Sequence, residues 1–406
     1  MIFPLIIELD KLQNTKKFKK SLTNNEAFSI LAQTFVQFLY YLILLRMPPV
    51  TITDIAKKAG LSVSTVSRVL NEKTASYRIK KETARRIQKT AKALNYRPNQ
   101  LARGLRLKKT LTIGLVAPDL ANPFFAYVVK SVQNVVHKLG YSLIVCDTNE
   151  SLELEVEHVN LLRNKGVDGL IAMPVGQTGR HFVPLLREGL PLVLLDRSFK
   201  ELKTDSVVVD NYQGAYDAVE HLILYGHTRI AIIQGLLRTF TSQGRLQGYK
   251  EALKRHGLAI DENLIVGKDF GKENGYIETK LLLQLKAPPT AIFATSDLIT
   301  LGVLQAISEE GLNIPADLSL VCFDDVDFAP FLACPLTVVA QPKELMGDIA
   351  VKLLTQQMQT RKTETKRIVL KPKLIYRSSV RLLTQRQPSA TEEAAAVERR
   401  GNLAAV

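Results

Sequence analysis

Residues 54–71 read DIAKKAGLSVSTVSRVLN, two short helical patterns set either side of Gly60. Upstream, Thr51 followed three positions later by Asp54 has the spacing of a capping box, and Ile52, Ile55, Ala56 and Ala59 then recur at helical intervals until the glycine. Ser62 is placed to cap a second helix. In it Val63, Val66, Val69 and Leu70 alternate with Ser64, Thr65, Ser67 and Arg68, so one side can pack while the other offers hydroxyls and a guanidinium. A third helix carries Ile87, Ala91 and Leu94 with lysines and arginines on its other faces, and NYRPNQLARGLRLKKT closes the segment.

Two helices of about eight residues joined by a tight glycine turn form a helix-turn-helix, whose second helix lies in the DNA major groove. An ordinary helical hairpin with a polar face would use the same residue types, and the location of charge favours DNA. The chain of 406 residues carries a formal +15, of which residues 47–110 hold +13, against +3 for 1–46, −2 for 111–380 and +1 for the remainder. A basic block beside a near-neutral body suits a polyanion-binding module on its own domain. Arg68 has the fork that fits guanine O6 and N7, and serines or threonines at a helix end commonly hold phosphates.

From Leu111 the texture changes to short apolar runs alternating with amphipathic helices: LTIGLVA, SLIVC, DGLIA, LVLL, VVV, RIAII, AIFA, LSLVCF and LTVVA. That alternation predicts parallel sheets wound by crossover helices, and about 270 residues of it divide more economically into two subdomains than into one wide sheet. The chain is expected to cross between them near residues 210, 341 and 370. Cys146, Cys322 and Cys334 have no metal-ligand spacing and no disulfide framework; they read as reduced, structural and cytosolic.

Ahead of the headpiece, residues 27–45 form an uncharged apolar run of 19 behind KKFKK, interrupted by Gln33, Thr34 and Gln37. A membrane anchor, an extra helix, and translated upstream sequence with initiation at Met47 all fit; the third is preferred. The expected organisation is an N-terminal extension over 1–46, a headpiece over 47–97, a hinge helix and linker over 98–110, an α/β body over 111–380, and a disordered tail over 381–406.

The run TITDIAKKAGLSVSTVSRVLN, followed by LNYRPNQLARGL, closely resembles the headpiece and hinge of the lactose-repressor/galactose-repressor family of bacterial transcription factors. The resemblance continues through IGLVAPDLANPFF, VDGLIAMP, LPLVLLDR, GRLQGY, PTAIFATSDLITLGVLQAI, LSLVCFDDV and PLTVVAQP, over about residues 50 to 380. It implies a dimer or tetramer, a hinge helix that enters the minor groove, and a ligand domain like the periplasmic sugar-binding proteins. By this match Val63, Ser64 and Arg68 read the major groove, with Thr65 and Ser67 beside them, while Asn99, Ala102 and Leu105 belong to the hinge, Leu105 as the apolar lever between base steps. Gly104 weakens that helix by ~1 kcal/mol, as suits a segment that folds on the operator. Lys80 departs from the family by standing where a serine or threonine caps the third helix.

In the body the matched ligand positions are Phe124, Phe125, Asp196, Arg245, Phe270, Ser296, Asp324 and Gln341. Asp196, Arg245 and Asp324 can hydrogen-bond hydroxyls, and the aromatics can cover the apolar face of a sugar ring, although each phenylalanine alone would read as core. The resemblance therefore implies a cytoplasmic, homodimeric regulator of operator DNA, a repressor answering a sugar, sugar phosphate or similar effector, with no cofactor and no metal. An activator, or a transport-type sugar-binding protein, is the alternative. An enzyme is not expected: the first strand is not followed by a Gly-rich phosphate loop, no histidine has metal spacing, and no Gly-x-Ser-x-Gly elbow occurs.

Overall fold

The computed structural model describes residues 50–70, 77–96, 109–360 and 364–383. Residues 1–46, the hinge positions Asn99, Ala102 and Leu105, and the chain beyond 383 lie outside the described residues. Two units divide at residues 100 and 101.

In the first unit, helices α1 (Ile52–Ala59), α2 (Val63–Leu70) and α3 (Lys81–Ala93) enclose a small core of Ile55, Ala56, Val66, Val69, Ile87 and Ala91. The capping box forms: Asp54 N donates to Thr51 Oγ1 at 3.3 Å and Thr51 N to Asp54 Oδ2 at 2.8 Å. Gly60 ends α1 in the left-handed region at φ 62°, where only glycine is unstrained, and its N–H reaches back to the last turn. Ser62 caps α2 through Thr65 N at 3.2 Å, whereas Lys80 stands at the start of α3 without a capping bond.

The second unit holds two six-stranded sheets. The first, in the order β11-β5-β4-β3-β1-β2, is built from β1 (Thr112–Ala117), β2 (Ser142–Asp147), β3 (Gly169–Ala172), β4 (Leu192–Leu195), β5 (Asp205–Val209) and β11 (Arg367–Leu370), with every neighbour parallel. The second, in the order β12-β10-β9-β8-β6-β7, contains β6 (Ile230–Ile233), β7 (Ile265–Val266), β8 (Ala291–Ala294), β9 (Ser319–Phe323), β10 (Thr337–Ala340) and β12 (Lys373–Ile375), and only β12 runs antiparallel to its neighbour.

Helices cover both faces of each sheet, so the central strands are apolar throughout rather than alternating. On the first sheet, α4 (Pro123–Lys138) and α11 (Lys343–Gln359) pack Val128, Val132, Met346 and Leu354 on one face; α5 (Leu152–Asn164) and α6 (Val183–Arg187) bring Val159, Leu162 and Leu185 to the other. On the second sheet, α7 (Asn211–Leu224) and α8 (Phe240–Arg255) lie opposite α9 (Lys272–Leu283) and α10 (Asp297–Glu309). The last two helices touch backbone to backbone: a Cβ at Gly302 would sit 2.0 Å from Lys272 O.

The chain passes from the first sheet to the second after β5, back after β10, and across again between β11 and β12, at the three places expected from sequence. The body runs on past residue 380: Arg381 N donates to Ser319 Oγ at 3.0 Å and Leu383 N to Tyr225 O at 2.8 Å, so residues 381–383 belong to the fold rather than to a tail. His227 secures this segment from beneath. Fully buried, it donates Nε2–H to Arg381 O at 3.2 Å and leaves Nδ1 to pair with Thr290 Oγ1 at 2.9 Å.

Burial pushes the His227 pKa down to about 4 from an ordinary 6.5. Between those values the unfolded chain binds a proton that the folded chain refuses, so this contribution is complete above the unfolded value and is lost as pH falls towards the folded one. Denaturant midpoints measured from about pH 7 down to about pH 4.5 should fall less steeply in His227→Gln than in the wild type. Identical slopes would remove His227 from the acid response.

Candidate functional site

Two places gather the residues singled out from sequence, one in each unit. On α2, Val66 and Val69 face the core, which turns Val63, Ser64, Ser67 and Arg68 to the opposite side; Val63 is 47% exposed. The hydroxyls at the helix start form a cluster, with Ser62 Oγ 2.8 Å from Thr65 Oγ1 and 3.0 Å from Ser64 Oγ. Thr65 is therefore engaged in holding the helix start, while Ser64 and Arg68 stay exposed. On α1 and α3 Lys57, Lys58, Arg85, Arg86, Lys89 and Lys92 are also exposed to solvent, so the unit carries a basic surface of the kind that attracts a phosphate backbone.

In the body, parallel strands bring their C-terminal ends to one cleft, the place where open α/β sheets bind ligands. Asn122 caps α4 after β1, its Oδ1 accepting from Phe124 N at 2.8 Å, and so sets Phe124 and Phe125 in the first turn. Asp196 and Arg197 follow β4, Ser296 caps α10 after β8, and Asp324 follows β9. Thr241 and Arg245 rise one turn apart from α8, and Phe270 closes the wall from the loop before α9. These ten residues line a space of about 290 Å³, part of it continuous with solvent.

Seven of the eight expected ligand positions thus converge. Gln341 is not among the lining residues; its amide donates to Asp324 Oδ1 at 2.5 Å and orients that carboxylate. Asn122, Arg197 and Thr241 line the cleft without having been singled out. The first two adjoin matched residues in NPFF and DR, and Thr241 precedes Arg245 by four, hence on the same helix face.

The electrostatics of the cleft are dominated by burial. Arg245 donates through Nε to Asn211 Oδ1 at 2.8 Å and through Nη1 to Thr295 O, and its guanidinium lies 3.7 Å over the Phe323 ring. Arg197 forms a bidentate pair with Glu150 at 2.7 and 2.9 Å. Burial raises the Asp196 pKa to about 6 against the pull of Arg197 and Arg245, and also raises Asp324 against Arg245. Asp297, beside them on α10, is raised to about 6 by burial and by the like charge of Asp324.

Asp196 and Asp324 occupy the left-handed region at φ 65° and 82°, each directly after a strand. Aspartate tolerates that region better than most side chains, and such strain concentrates at ligand sites. Asp196 Oδ1, Arg197 Nε, Thr241 Oγ1 and Gln341 Oε1 are buried and have no hydrogen-bond partner.

Residues 51–99 match the profile of bacterial regulatory proteins of the lacI family, and residues 219–380 match the periplasmic binding protein-like domain. The ribose operon repressor of Haemophilus influenzae is 37% identical over 330 residues, spanning 81% of this chain and 98% of that protein. A crystal structure of the lac repressor dimer bound to operator and an anti-inducer aligns with a TM-score of 0.72 at 28% identity, covering 82% of this chain and 100% of that one. A lacI-family regulator from Enterococcus faecium with bound ribose aligns with a TM-score of 0.62 at 28% identity, covering 67% of this chain and all of that one.

Proposed function

Since the chain belongs to the lacI family of bacterial regulatory proteins, we propose that it is a cytoplasmic, homodimeric, non-enzymatic repressor that reads operator DNA through α2 and answers a small neutral sugar in the body cleft. The observation that carries the DNA half is the division of α2 into a buried valine stripe and an exposed face ending in Arg68, within a segment holding nearly all the excess positive charge. Val63 suits a thymine methyl and Arg68 a guanine, with the surrounding lysines and arginines on phosphates. Residues 47–97 are the headpiece in this reading, 98–110 the hinge with Asn99, Ala102 and Leu105 at the minor groove, and the body begins at 111.

Charge and orphaned atoms support the effector class. Glu150 already occupies Arg197, and Arg245 sits between Asp196 and Asp324, so carboxylates outnumber free cations and a phosphorylated ligand would meet repulsion. Asp196 Oδ1 asks for a donor, Thr241 Oγ1 accepts or donates, and Arg197 Nε asks for an acceptor. Several hydroxyls on a compact ring meet those needs, and the Phe124, Phe125 and Phe270 rings in the lining can cover its apolar face.

Closure of the two subdomains about the crossings near 210, 341 and 370 is the proposed route of response. Asp168 ties the linker to the first subdomain, accepting from Thr110 N at 2.8 Å and Leu111 N at 2.9 Å, so movement of that subdomain carries the linker with it.

Arg68→Ala should cost ~1–3 kcal/mol on operator and relax preference at one base position, read by selecting duplexes from a randomised pool and measuring affinities. An unchanged footprint and affinity would take α2 out of the groove.

For the cleft, a thermal-shift panel of neutral pentoses and hexoses beside their phosphates should stabilise the protein with a neutral member. Against that sugar, Arg245→Ala and Asp324→Ala should each weaken binding at least tenfold, from ~1.5–3 kcal/mol of charge-assisted hydrogen bonding, with Thr241→Ala as a variant that spares the Arg245 scaffold. Because the ligand needs ionised carboxylates, affinity should also decline as pH drops below about 6, where Asp196 takes up its proton. Wild-type responses in all three variants, or a shift with phosphates alone, would place the effector elsewhere.

A further inference from the structure

Arg68 lies in the last turn of α2 and Tyr77 precedes α3, nine positions on. Both side chains face solvent, Tyr77 at 49% exposure, yet Arg68 Cζ sits 4.0 Å over the centre of the Tyr77 ring. Among the described residues this ring is the partner that holds Arg68. We propose that Tyr77 is a positioning residue for base reading, fixing the Arg68 guanidinium on α2; this rests on α2 being the helix that enters the groove.

The geometry separates the two uses of one group. Stacking engages the flat face of the guanidinium, whereas guanine O6 and N7 are read by the N–H groups along its edge, which the ring leaves uncovered. A long, rotamer-rich side chain that is already parked loses less freedom on binding DNA. Exclusion of water by the duplex then strengthens the cation–ring attraction, because the cation loses competing hydration. Tyr77 also lies outside α2, so the angle between Arg68 and the bases is set by the turn before α3 as well as by the helix itself. A base preference can therefore be sharpened without adding any contact to DNA.

The test uses the full-length protein, duplexes selected from a randomised pool, and a matched set substituted at the base whose preference Arg68→Ala removes. Tyr77→Ala should reduce discrimination at that base about fivefold, while non-specific affinity and its salt slope stay as in the wild type. Tyr77→Phe keeps the ring and should keep the discrimination. A uniform loss on all duplexes with a shallower salt slope would make Tyr77 a phosphate contact instead. Tighter or sharper binding by Tyr77→Ala would show that the ring withholds the arginine, and failure of Tyr77→Phe would move the effect to the hydroxyl. If Arg68→Ala leaves every preference intact, the reading of α2 falls first; if it removes one and Tyr77→Ala does not, the positioning role alone falls.

Discussion

The buried guanidinium of Arg245 organises the body. It reaches from α8 to Asn211 at the start of α7, to the carbonyl of Thr295 at the end of β8, and over Phe323 at the end of β9, with Asp196 and Asp324 to either side. A charge taken out of water is tolerable only when hydrogen bonds and opposite charge replace its hydration. Here the hydrogen bonds, the ring and Asp324 come from the second sheet and its helices, and Asp196 adds opposite charge from the first, so the cation draws on both walls of the cleft. The raised carboxylate pKa values are the complement of the same burial: Arg245 and Arg197 offset desolvation without cancelling it.

The cleft then inherits its form from topology. Parallel strands place their carboxyl ends on one side of each sheet, and three crossings keep the two sheets side by side without fusing them. Asp196 follows β4 and Asp324 follows β9, each the third strand from one edge of its sheet, and both adopt the left-handed conformation. The two subdomains thus offer matching carboxylates from matching positions. Strain of about 1–3 kcal/mol at each such residue is retained because the flanking strand fixes the backbone direction.

Most of this was legible in the sequence for a physical reason. A central strand covered on both faces must be apolar at every position, so LTIGLVA, DGLIA, LVLL and AIFA announce themselves. The strands that escaped lie at the edges: Ile265–Val266 has two residues, and Arg367–Leu370 and Lys373–Ile375 mix charged and apolar positions because one side meets water. The same ordering applies to the cleft. Seven matched residues arrived together, while Arg197 could be placed only once its pairing with Glu150 was seen, and Gln341 proved to act on Asp324 rather than to line the space. Arg68 was legible from its helix; its contact with Tyr77 was not, since no periodicity links a helix end to a loop nine residues away.

The headpiece shows how reading and folding can be kept apart in so small a unit. Among its described residues the core cluster comprises six buried side chains, and the segment 47–110 contains no cysteine or histidine that could staple it, so each of them matters to stability. Val66 and Val69 hold α2 against α1 and α3, and a change there shifts the helix as a whole. Val63, Ser64 and Arg68 project from the other side and bury little in the protein, so under the proposed function exchanging them would alter what is read at small cost to the fold. Tyr77 belongs to neither set. Exposed and outside α2, it bears on recognition through the orientation of one arginine, which lets the turn before α3 tune a preference that the helix alone would leave loose.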